Sequence, residues 1–162
     1  MSSKPLPTSE SLLDELQATL AHGTVARRVE TLRRVTDLFI SGAVEFADDQ
    51  IALFDDVFQC LIHHIETSAK ALLSNRLAPV DRAPPLTVRA LAFDDLIEVA
   101  APVLSMSERL DDEALIETAR HKSQAHLMAI STRKVLSGAV TDVLVQRGND
   151  EVVQSKIGRA HV

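Results

Sequence analysis

The segment HHIE at 63–66 sets His63 and Glu66 three residues apart, a spacing that on one helix face offers an imidazole and a carboxylate to a metal ion. A carboxylate-bridged centre needs a second such pair from a facing helix, and the chain has no other Glu-x-x-His or His-x-x-Glu. No metal site is therefore expected. His121 and His126, five residues apart, fall on different helix faces and read as surface or interface residues. The single cysteine, Cys60, sits in the apolar run VFQCLI and reads as a buried, inert thiol. P-loop, dinucleotide-binding, zinc-protease and nucleophile-elbow patterns are all missing from the sequence. No catalytic residue and no cofactor are assigned, and the chain is not expected to be an enzyme.

Charge placement is more informative. Arg27, Arg28, Arg33 and Arg34 cluster in ARRVETLRR, whereas residues 35–69 hold no Lys or Arg and seven acids: Asp37, Glu45, Asp48, Asp49, Asp55, Asp56 and Glu66. Guanidinium forks match carboxylate and phosphate geometry, so the four arginines are the candidate partner-binding residues, for an acidic or phosphorylated protein or peptide segment. Solvated faces with weak internal ion pairs are the simpler account of the same charges. The net charge of −6 disfavours nucleic acid and anionic membrane surfaces as partners.

These residues must be carried by helices. Five Phe with no Trp or Tyr leave an interior of Leu, Val, Ile and Ala, and five Gly with six Pro supply too few turns for an all-β fold. Leu12, Leu13, Leu16 and Leu20 recur at helical spacing, then Val25, Val29, Leu32, Val35 and Phe39, opened by Thr24 as a cap and closed by Gly42. These two helices are expected to pair antiparallel. Ile51, Phe54, Phe58, Leu61 and Ile65 form the strongest stripe, with Asp55 assigned to the opposite, solvent-facing side and a break near Thr67–Ser68. PPLTVRALAFD and DLIEVAAPVLSMS read as successive helices, the second capped by Asp94 or Asp95 and carrying Pro102 inside it.

Beyond Pro84 the chain repeats. APVLS at 101–105 matches TDVLV at 141–145, and DDEALIETA from Asp111 matches NDEVVQSKI from Asn149, offsets of 40 and 38. Such a period sits just short of that of stacked HEAT or armadillo units. The fold class expected is all-α, a short-helix α-solenoid.

The phrases FADDQIALFDDVFQCLIHHIE, ALAFDDLIEVAAPVLSMSERLDDEAL and AHLMAISTRKVLSGAVTDVLVQRGNDEVV resemble, in this order, a bacterial family called domain of unknown function 2336. The resemblance spans residues 27–157 and implies an uncharacterised helical protein similar to HEAT-like repeats. It implies no activity, ligand or catalytic residue.

The expected organisation is a disordered tail at 1–7, one helical-repeat domain over 8–158 and a tail at 159–162. The last unit, NDEVVQSKIG, carries Val152, Val153 and Ile157 with no further helix to cover them. Its end is expected to be a truncation, frayed or paired in a homodimer. No apolar run nears the roughly 18 residues of a membrane span, and MSSKPLPTSE lacks a signal's apolar centre, so a cytoplasmic protein is expected. The function expected is a non-catalytic scaffold or regulatory module that binds a protein or peptide, with a HEAT-like enzyme or nucleic-acid-binding repeat as the alternative.

Overall fold

Apolar side chains three and four residues apart drive the chain into helices, because only that period gathers them on one buried face. A computed structural model describes residues 9–149 and Val152. Among them are nine helices and no strand: α1 Ser9–His22, α2 Val25–Gly42, α3 Asp48–Ile62, α4 Thr67–Leu77, α5 Pro85–Ala92, α6 Ile97–Met106, α7 Asp112–His121, α8 Gln124–Ser131 and α9 Gly138–Arg147. The all-α class is observed. The chain forms two compact units, Met1–Glu66 and Thr67–Val162.

In the first unit α1 and α2 both lie against α3. Thr24 caps α2 as expected, its Oγ1 accepting from the Arg27 amide at 3.2 Å. Gly42 lies inside the last turn of α2 rather than beyond it. The α3 start is held from the side-chain end, Gln50 Oε1 accepting from the Ala47 amide at 2.8 Å, with Asp48 and Asp49 facing the positive end of the helix dipole. Aromatic rings fill the core. Phe39 and Phe58 are fully buried and meet edge to face at 5.8 Å, while Phe54 lies 5.2 Å from Phe39 and 5.1 Å from Phe46.

One face assignment is corrected here. Asp55 is 3% exposed and belongs to the buried side of α3 with Ile51, Phe58 and Leu61. At four residues after Ile51 and three before Phe58 it shares their stripe. Carboxylate chemistry argued for solvent, but helix geometry decided.

The second unit has an aliphatic core, in which Leu73, Leu77, Val88, Leu91, Val99, Val103, Leu104, Leu127, Ile130 and Leu144 are buried. Helix starts are set by short polar side chains: Asp111 accepts from the Ala114 amide at 2.8 Å, Ser123 from His126 at 3.4 Å and Ser137 from Val140 at 3.2 Å. The α6 start departs from expectation. Leu96 is its N-cap residue, and Asp94 Oδ1 instead accepts from the Leu96 amide at 2.9 Å. Pro102 lies within α6, which continues through it to Met106.

Two helix triplets follow one another in this unit. α8 begins at Gln124, 39 residues after Pro85 of α5, and both helices have 8 residues. α9 begins at Gly138, 41 residues after Ile97 of α6, and both have 10. In each triplet the first helix packs on the third, α4 on α6 and α7 on α9, and α6 packs on α8 across the junction. The expected last unit beyond Asn149 lies, apart from Val152, outside the described residues.

Candidate docking face

The four arginines do not form one group. α2 buries Leu32, Thr36 and Phe39, so positions 27, 31, 34 and 38, spaced by four and three, run along its outward side. Arg27, Arg34 and Leu38 occupy that ridge, Leu38 being 61% exposed. Among the described residues the Arg27 guanidinium has no partner. Arg34 Nε meets Glu30 Oε1 at 3.1 Å, yet 77% of its side chain stays exposed. Arg33 stands to one side, bridging Glu30 at 2.6 Å and Asp37 at 3.3 Å.

Hydrogen bonds from Arg33 and then Arg34 hold the Glu30 carboxyl below its ordinary range. The attachment is thus present above that range and lost as pH falls through the lowered value. At neutral pH Glu30 keeps both guanidinium groups splayed along the surface without neutralising the ridge.

Arg28 is turned the other way. Its Nη1 donates to the Gly23 carbonyl at 2.6 Å and to the Leu20 carbonyl at 3.3 Å, closing the end of α1. A helix leaves its last carbonyls without amide partners, and a guanidinium both bonds them and opposes their negative partial charge. Arg28 is therefore a structural clamp, which leaves Arg27, Arg34 and the flanking Arg33 as the candidate partner-binding residues.

The second unit uses the same device twice, and Arg109 holds a loop carbonyl besides. Arg133 donates from Nη1 to Leu104 O at 2.7 Å and from Nη2 to Ser107 O at 2.6 Å, at the end of α6. Arg109 Nε donates to Ala83 O at 2.7 Å, and Arg147 Nη1 to the carbonyls of Ala119 and Lys122 at the end of α7. Burial lowers the Arg133 pKa from the ordinary arginine value, with Glu108 and Asp112 opposing the shift. Arg133→Gln is expected to cost about 1–2 kcal/mol in urea melts, and Arg133→Lys nearly as much, because an ammonium cannot span two carbonyls. Unchanged midpoints for both would remove the clamp. Sequence patterns could not flag these residues, whose partners are backbone carbonyls 25–29 residues away.

α3 ends at Ile62, so His63 and Glu66 do not share a helix face. No group of three or more His, Cys, Asp or Glu side chains converges among the described residues. Cys60 is half-buried rather than buried, beside Gln17, Asp56 and Gln59 at an open depression, and burial pushes its thiol pKa up, away from nucleophilic reactivity. His121 is exposed and meets Glu117 at 3.4 Å.

His126 corrects the surface reading, being 1% exposed. Its Nε2 lies 2.7 Å from Asp94 O, which can only accept, so Nε2 carries the proton. Nδ1 then accepts from Ser123 Oγ at 2.7 Å. The arrangement resembles a serine–histidine pair, but the same Oγ accepts the His126 amide as a helix cap. It fastens α8 to the α5–α6 connection.

A groove of about 660 Å³ runs past Met106, Glu108, Arg133, Lys134 and Val135, and a smaller one of about 270 Å³ past Arg89, Phe93 and Glu117. No helix among the described residues is long and apolar enough to cross a membrane.

Residues 99–161 match the family model of an uncharacterised protein conserved in bacteria (DUF2336), the family that the sequence phrases resemble. No curated protein and no solved structure matches the chain.

Proposed function

We propose that the chain is a non-catalytic protein-interaction module that holds an acidic protein or peptide segment on the outward ridge of α2. The observation that carries this reading is the placement of Arg27, Arg34 and Leu38 on one exposed helix face while Arg28 is turned inward. Two guanidinium groups about two turns apart, with an apolar side chain beside them, suit an amphipathic acidic helix. The repeating triplets α4–α6 and α7–α9 support a short-helix α-solenoid as the scaffold, an architecture whose stacked helices offer long surfaces to proteins. Arg33, bound to Glu30 and Asp37, acts at the margin.

A fluorescent helical peptide rich in Glu and Leu provides the test by anisotropy. Arg27→Gln with Arg34→Gln is expected to weaken its binding about tenfold with helicity unchanged, and raising NaCl from about 0.1 to about 0.5 M should weaken the wild-type interaction as well. Equal affinity for wild type and variant ends the proposal.

A further inference from the structure

The acidic segment that α2 would hold is present in the chain itself. On α3 the buried positions are Ile51, Asp55, Phe58 and Leu61, which leaves 49, 53, 56 and 60 along the outward side. Asp49, Leu53 and Asp56 are exposed, Leu53 at 41%, and Cys60 is half-buried at the end of this line. The spacing repeats that of 27, 31, 34 and 38 on α2. One ridge carries Arg27, Arg34 and Leu38, the other Asp49, Asp56 and Leu53, so that in both the two charges are seven residues apart and a leucine lies on the same line. No Lys or Arg occurs between residues 35 and 69 to spoil the acidic ridge.

We infer that the partner of the α2 ridge is the α3 ridge of a second copy of this chain. This rests on the reading of α2 as a docking face and names its occupant. The contact is heterologous: each ridge lies opposite the buried face that its helix turns to the core, so the α2 ridge of one copy meets the α3 ridge of the next and copies add head to tail. Charges seven residues apart recur every two turns, the repeat over which neighbouring helices keep the same faces together. Leu38 and Leu53 supply apolar area next to the ion pairs, which by themselves give register rather than affinity. The net charge of −6 does not oppose this pairing: the attraction is local, between opposed faces, and does not require opposite net charges.

Charge exchange tests the inference on the full chain by sedimentation equilibrium. Wild type is expected to show reversible self-association within the micromolar range. R27E/R34E and D49K/D56K are each expected to be monomeric, and an equimolar mixture of the two to recover the association. A wild-type chain that stays monomeric throughout, or variants that associate as wild type does, or a mixture that fails to associate, overturns it. Cys60 supplies a readout that needs no substitution, since it is the sole cysteine: its alkylation by a maleimide should slow severalfold as chain concentration rises through the association range. Concentration-independent labelling also counts against the inference. A monomeric chain that still binds the acidic peptide through Arg27 and Arg34 would retain the docking function and lose only the self-association.

Discussion

Replacing Phe58 by alanine is expected to cost about 3–5 kcal/mol of stability, the largest effect of any single change considered. The ring is fully buried, meets Phe39 edge to face at 5.8 Å and lies 6.4 Å from Phe54. Its removal forfeits the transfer free energy of the side chain and leaves a cavity between α2 and α3 that neighbouring rings, fixed by their own contacts, cannot close. Leu53→Ala on the same helix should shift stability by less than about 0.5 kcal/mol, because its side chain is partly in water already. Asp55→Ala falls between them, at about 1–3 kcal/mol, since a buried carboxylate has neighbours that lose a partner with it. Urea melts of the three variants give the ranking, and a Phe58→Ala midpoint close to that of Leu53→Ala would refute the packing described.

The second large effect is expected at His126. His126→Ala should cost about 2–4 kcal/mol, combining a cavity with the loss of a partner for the Asp94 carbonyl. The imidazole bonds Ser123 at 2.7 Å on one nitrogen and Asp94 O at 2.7 Å on the other, joining segments 32 residues apart. Around it, Lys122 reaches Asp95 at 2.6 Å and lies 3.9 Å over the Phe93 ring, so the same connection is fastened again from outside. Ser123→Ala separates the parts: it removes the cap and the Nδ1 bond but leaves the ring, and should cost about 1 kcal/mol. If both variants melt together with wild type, the buried histidine contributes nothing to holding α8.

Helix positions were largely legible in the sequence because period and caps are local properties. Thr24 marked the start of α2 and Thr67–Ser68 the break before α4, whereas Asp94 and Asp95, read as caps of α6, gave way to Leu96. What escaped was decided by partners distant along the chain. His126 looked like a surface residue because its two acceptors and donors belong to a helix cap and to a carbonyl far upstream. Asp55 looked solvated because composition outweighed its place in the stripe. Arg28 was grouped with its three neighbours since sequence shows charge but not that a guanidinium folds back onto carbonyls at 20 and 23. The clamping arginines 109, 133 and 147 carried no signal at all, as backbone acceptors have no side-chain identity to read.

The uneven distribution of rings has an optical consequence. Phe39, Phe46, Phe54 and Phe58 share the core of the first unit, whereas the second holds Phe93 alone, and the chain has neither Trp nor Tyr to mask them. Near-ultraviolet dichroism therefore reports almost entirely on the rings of Met1–Glu66, while far-ultraviolet dichroism sums the helices of both units. One sample followed at two wavelengths becomes two spectroscopic reporters without any label. Coincident curves mean a single cooperative transition, and displaced ones give each unit its own midpoint.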